Sequence, residues 1–375
     1  MKIKDRIFHK KIEGIDGLAE KLLSELAKGN GNAVISPTCL YEALAMVADV
    51  SATSTRVELM DLLGSPQEIA DTVLSISNIT APRYGCKDFH YSTGASLWLD
   101  NSIELNPKLP EHNFIVPVEI EQVDLASKES SEAIGKWLSE NTGGLFANAP
   151  DVSPETLILG LCAMHLKDSW SSEFDEGSPH VFTRDDGTKI TFDFMMDWYD
   201  YNLLETEGSL TLSKRLTSDC HMLVSLPPEG VPLNKYVAKG EAWANMRSFL
   251  EGNCTDVARE CKVYMPKFDI SSDGINLKRT LADMGIKHMF EPSADFKPLS
   301  PDALMVSDII QSTKLKIDEE GLEGASYVEI LYCGGLPPED PPKPREIYVD
   351  RPFVVAVVSP ENLPLFVGLV RTPEE

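Results

Sequence analysis

Helical spacing of apolar side chains is spent early in this chain, and that order limits the folds open to it. Leu18, Leu22, Leu23 and Leu26 recur at three- and four-residue intervals until Lys28-Gly29-Asn30-Gly31-Asn32 breaks the run. A second helix is predicted to begin near Ser36-Pro37, with Leu40, Leu44, Met46 and Val47 on its buried side. A third covers residues 54–63, until Gly64-Ser65-Pro66 stops it. From Ser92 onward, runs of β character take over at 94–99, 116–120, 157–161, 189–192 and 221–226, with helices interleaved at 130–140 and 277–284. Helices first and strands mixed with helices afterwards argue for an α+β fold with large, mostly antiparallel sheets, and against a repeating β-α-β chain.

At 375 residues with 42% hydrophobic side chains, the chain can bury a substantial core, which excludes disorder as its main state. Its 34 basic against 59 acidic residues give a formal charge of −25. Such a surface repels phosphate backbones and anionic lipid heads, so no nucleic acid and no membrane is expected as a partner. The charged start, Met1-Lys2-Ile3-Lys4-Asp5-Arg6, precedes no apolar run of the kind a secretory signal needs. That argues for a cytoplasmic protein, or an extracellular one if a signal has been removed. Seven cysteines, an odd number without C-x-x-C pairs, read as small buried hydrophobes and not as a disulfide scaffold or zinc cluster.

Catalytic chemistry leaves no readable trace. There is no G-x-S-x-G elbow, no H-E-x-x-H and no phosphate-binding G-x-x-x-x-G-K-[ST] loop. The seven histidines do not cluster at ligand spacing, and Cys220 and His221, neighbours in a predicted strand, face opposite sides. Acidic runs such as Asp318-Glu319-Glu320 lack the spacing of a calcium loop. The chain is read as no enzyme, with no cofactor and no metal.

One segment demands a separate account. Residues 321–350 contain Gly334-Gly335 and prolines at 337, 338, 341, 342 and 344, yet residues 322–332 hold no proline and read as a potential strand. Long loops inside compact domains are usually functional.

Five segments, in order, resemble the serpin family. They are Asn32-Ala33-Val34-Ile35-Ser36-Pro37 with the two helices after it; residues 156–170 with Phe174, similar to the tryptophan-ended strand in the middle of the family's largest sheet; Met265-Pro266-Lys267-Phe268 with 277–285 and Phe290; Arg351-Pro352-Phe353; and Leu365-Phe366-Val367-Gly368 with Pro373. The resemblance implies a single domain over 1–375, with three mostly antiparallel sheets, about nine helices and a metastable native state. It further implies an exposed reactive-centre loop at about 319–350, with Glu319, Glu320, Gly321, Leu322, Glu323, Gly324, Ala325 and Ser326 as its hinge. In the family a protease cuts this loop and becomes acyl-linked to it, whereupon the hinge side enters a sheet as a new strand and carries the enzyme along. The implied function is irreversible inhibition of a serine or cysteine endopeptidase by a monomer; the alternative is a non-inhibitory binding or chaperone module whose loop is cut without insertion.

Insertion requires an uncharged inward face. Family parity puts Leu322, Gly324, Ser326, Val328, Ile330 and Tyr332 inward, and Glu323 and Glu329 outward. New backbone bonds and the entropy of ordering the strand are comparable in size, so these inward side chains help to decide the outcome. The family's hinge-to-cut length, counted from Glu319, puts the scissile bond at Gly335-Leu336, with Leu331, Tyr332, Cys333 and Gly334 meeting the protease, whereas counting backward from Arg351-Pro352-Phe353 lands near Pro341. A Gly-Gly approach with Tyr332 upstream suits a subtilisin-like or elastase-like target. Around the point where the sheet opens, the resemblance points to Ser36, Cys39, Cys162, Gln311, Trp170 and Lys267. Cys162 and Gln311 stand where an asparagine and a histidine are usual, and Lys267 and Glu319 match a pair able to form an ion bridge.

Overall fold

The computed structural model describes residues 3–79, 89–151, 153, 155–322 and 344–373. α1 (Ile3–Leu26) is followed by β1 (Ala33–Ile35), α2 (Pro37–Asp49), α3 (Thr53–Leu63) and α4 (Pro66–Ser77). Ser36 caps α2 by accepting from the Cys39 N–H, with Pro37 at the first helical position. Gly64-Ser65-Pro66 does more than stop α3. Ser65 and Glu68 form a reciprocal capping box that launches α4, a helix the spacing argument missed.

Then come β2 (His90–Asp100), β3 (Glu119–Val123), α5 (Lys128–Asn141) and β4 (Ile158–Ser169). β5 (Asp175–Thr183), β6 (Lys189–Thr206), β7 (Ser209–Arg215) and β8 (His221–Leu226) follow, ahead of α6 (Leu233–Ala238) and α7 (Glu241–Leu250). The last part holds β9 (Asp256–Pro266), β10 (Phe268–Asn276), α8 (Lys278–Asp283), β11 (Ile310–Ile317), β12 (Gly321–Leu322), β13 (Arg345–Tyr348), β14 (Phe353–Val358) and β15 (Pro364–Val370). The fold is α+β, with eight α-helices and three sheets among the described residues.

The largest sheet runs β1-β15-β14-β8-β7-β6-β9-β13, with β5 also on β6. β14 and β15 are buried at every position, which explains their unbroken apolar runs. A four-stranded sheet runs β12-β4-β2-β3, and β10-β11 stand as a separate pair. Among the described residues, all pairings are antiparallel except β2 with β3 and β13 with β9. The resemblance puts the strand ending in Trp170 in the middle of the largest sheet. That strand is β4, and here it belongs to the four-stranded sheet, because among the described residues no ladder joins it to β11 and only the two residues of β12 pair along that edge. β4 is covered on both faces. Cys162 and Met164 pack on the helical core, while Leu159, Leu161 and Ala163 pack with Ile134 and Trp137 of α5. Double cover is why its sequence shows no clean alternation.

Candidate functional site

Asp318 makes the turn out of β11. Its N–H donates to the Gly321 carbonyl at 3.2 Å, and its carboxylate accepts from the N–H groups of Glu320 (3.1 Å) and Gly321 (3.2 Å). The turn is also strapped from outside, by three successive carbonyls. Asp318 O accepts from Trp170 Nε1 at 2.9 Å, Glu319 O from the Phe174 N–H at 3.0 Å, and Glu320 O from the Trp170 N–H at 3.1 Å. Lys267 Nζ lies 2.5 Å from the Glu319 carboxylate, whose hydrogen bond holds the amine above its ordinary range. The chain then enters β12, with Gly321 opposite Ser169 and Leu322 opposite Asp168. Glycine is needed there, because a Cβ would collide with the Asp168 carbonyl.

Two buried groups stiffen this end. The Asp168 carboxylate, 1% exposed, accepts from the Ser218 N–H (3.2 Å), the Ser218 hydroxyl (2.5 Å) and the Thr217 hydroxyl. Burial raises its pKa in spite of those bonds. Behind Phe174, which meets Trp170 edge to face at 5.6 Å, Lys214 Nζ stands 4.6 Å from the ring centre. The same amine is 2.5 Å from Asp197, which also accepts from the Tyr201 hydroxyl at 2.5 Å.

The other end of the interval between β4 and β11 rests on the first turn of α2. Gln311 of β11 makes a reciprocal pair with Ser36: its Oε1 accepts from the Ser36 N–H at 3.3 Å, and its Nε2 donates to the Ser36 carbonyl at 3.1 Å. From the β4 side, the Cys39 thiol donates to the Cys162 carbonyl at 3.3 Å, and the Ser36 hydroxyl lies 4.0 Å from the Met164 sulfur. One helical turn thus grips both strands. Burial, helped by the nearby Glu42 charge, pushes the Cys39 thiol up to about 12 and raises Cys162 well above its usual range. Both thiols are therefore uncharged at neutral pH, not nucleophiles. Glu42, one turn further along α2 and 4% exposed, is lifted to about 8 by burial. From Gln311 to Ile317 the interval spans six strand steps, about 20 Å.

Ser36, Cys39, Cys162 and Gln311 are thus brought together at one end, and Trp170, Lys267, Glu319, Glu320 and Gly321 at the other. Leu322 is placed by its main chain on β4. Glu323, Gly324, Ala325, Ser326, Val328, Glu329, Ile330, Leu331, Tyr332, Cys333, Gly334, Gly335 and Leu336 lie outside the described residues. On the far side the chain resumes before β13, which pairs in parallel with β9, Arg345 opposite Cys261. The sequence reading met Asp318 and Phe174 only as members of longer segments, and gave no role to the Asp197–Lys214 pair or Glu42. Glu42 alone had a visible signal: a carboxylate among the apolar residues of a helix's inward face.

Among the described residues, no group of histidine, cysteine and carboxylate side chains could hold a metal ion, and no helix is long and apolar enough to cross a membrane. A family model described as "Serpin (serine protease inhibitor)" matches residues 13–373. Plasminogen activator inhibitor 1 of Sus scrofa is 25% identical, over 92% of this chain and 88% of its own. Native tengpin, a thermophilic serpin, superposes with a TM-score of 0.80 at 22% identity, covering 97% of this chain and 94% of the other. Thyroxine-binding globulin in complex with thyroxine gives 0.78, also at 22%, covering 97% and 98%.

Proposed function

We propose, since this chain belongs to the serpin family, that it is an irreversible inhibitor of a serine or cysteine endopeptidase, acting by cleavage and insertion of the loop at about 319–350. The observation that carries this reading is the hinge: Gly321 and Leu322 already pair with β4, at the mouth of the interval bounded on its other side by β11. Further pairing along β4 extends a strand that has already begun. The costly first step of closing a non-local pairing is thus made in advance. The family also includes relatives named as inhibitors, such as plasminogen activator inhibitor 1.

In this mechanism the protease's nucleophile attacks the Gly335 carbonyl, the bond to Leu336 breaks, and the new amino terminus leaves with the β13 side. Residues from Leu322 onward then zip along β4, leaving the acyl-linked enzyme displaced before water reaches the ester or thioester. The chain supplies folding energy, and the chemistry belongs to the protease. The narrow Gly334-Gly335 approach favours subtilisin-like or elastase-like targets.

Incubation with such proteases should give a complex that survives boiling in detergent, with the free fragment beginning at Leu336. Cleavage of the loop by a non-target protease should raise the melting temperature sharply. Clean cleavage with neither covalent band nor thermal gain would instead identify a binding module with a non-inserting loop.

A further inference from the structure

On a chain of charge −25, three cations line one surface depression, with the Glu58 carboxylate behind it accepting from the Lys287 N–H at 2.6 Å and the His288 N–H at 2.8 Å. At the far end of β10 from the hinge, a surface cavity of about 550 Å³ opens between α8 and the short 3₁₀ turn His288–Phe290. Lys278, Arg279 and Lys287 line it, together with Ala282 and the Phe290 ring. None of the three cations forms an ion pair among the described residues, whereas Lys28, Lys128, Lys136, Lys239 and Arg345 each sit against a carboxylate. Lys278 Nζ donates once, to the Ser307 carbonyl at 2.8 Å, and stands 5.3 Å from the centre of the Phe290 ring. The amine is thereby held at the cavity wall with donors to spare. Asn276, also on the wall, is engaged at both ends: its amide donates to Asp308 at 2.7 Å and its oxygen accepts from the Lys278 N–H at 3.0 Å. Glu291 is the one acid in the lining.

We propose that this cavity is a binding site for a small organic anion that carries an aromatic ring, such as an aryl phosphate or aryl carboxylate. Arg279 offers the planar fork that fits a carboxylate or phosphate, and Lys287 and Lys278 add point charges. Phe290 and Ala282 supply an apolar surface for the ring, and the volume falls in the range of small-molecule sites. The site is independent of whether the loop inserts.

Calorimetric titration of the full chain with 4-nitrophenyl phosphate tests this, with inorganic phosphate and 4-nitrophenol as the two half-ligands. Saturable one-to-one binding is expected, tighter by about tenfold or more than for either half. Raising the salt concentration should weaken it. The double variant Arg279→Gln, Lys287→Gln should lose about tenfold or more in affinity for the ester. Both side chains are exposed, so the ligand-free melting temperature should stay put. An absence of saturable binding, or equal affinity in the double variant, overturns the site. Phosphate binding as tightly as its aryl ester overturns the role of the ring.

Discussion

Glu42 is the residue whose protonation the fold senses most directly. It sits at the seam where α2 grips β4 and β11, and burial raises its carboxyl from 4.5 to about 8. The folded protein therefore holds this proton more tightly than the unfolded chain does. Its contribution to stability is complete below about pH 4.5 and is lost progressively as pH rises toward 8. Glu42→Gln keeps the shape and removes the titration. Comparing urea midpoints of the two proteins from pH 4.5 to pH 8, the wild type should fall behind by several kcal/mol, at roughly 1.4 kcal/mol per pH unit. A difference that stays flat across that window would assign the pH response to other groups. Lys267 illustrates the opposite case. About half exposed, its pair with Glu319 is worth no more than about 1 kcal/mol, so it orients the hinge without anchoring it. The main-chain bonds from Trp170 and Phe174 do the holding.

Among the elements, β12 is the smallest and the most exacting. Gly321 fits only because it has no Cβ to meet the Asp168 carbonyl. Gly321→Ala should therefore lift β12 off β4, and amide hydrogen exchange at Trp170, Phe174 and Gly321 should quicken while β14 and β15 stay protected. Unchanged exchange at these three amides would mean that the seating tolerates the methyl group. The elements legible in the sequence were those with strong local signals: the Leu18–Leu26 stripe of α1, the Ser36-Pro37 start of α2, and the β8 run from His221. α4 was hidden because Ser65-Pro66 serves as a stop and a start at once. The predicted strand at 116–120 came out as β3 at Glu119–Val123, its beginning displaced by Pro117. At the site, Ser36, Cys39, Cys162 and Gln311 were legible through their resemblance to a known pattern. Two of the three bonds that strap the hinge were not, because they run from the Trp170 and Phe174 main-chain N–H groups, and main-chain bonds carry no residue signature.

Taken whole, the described chain enters and leaves the proposed reactive stretch on two different sheets. The hinge end is attached to the four-stranded sheet through β12, and the far end to the nine-stranded sheet through β13. Any strand added along β4 must present uncharged side chains to the core below, since an unpaired buried charge costs several kcal/mol. Leu322→Arg should accordingly turn inhibition into turnover: a target protease would cut the loop at the wild-type rate and leave free, with the covalent band lost from detergent gels. Persistence of that band would place Leu322 outside the inserting face. The fit of Gly321 against Ser169 has a last consequence, because it supplies a fixed zero from which the length of everything downstream is measured. One residue added between that mark and the cut would exchange the wet and dry sides of the whole ribbon. Two would restore the sides but carry a passenger about 7 Å past its resting place, so the sidedness of this stretch tolerates even steps and not odd ones.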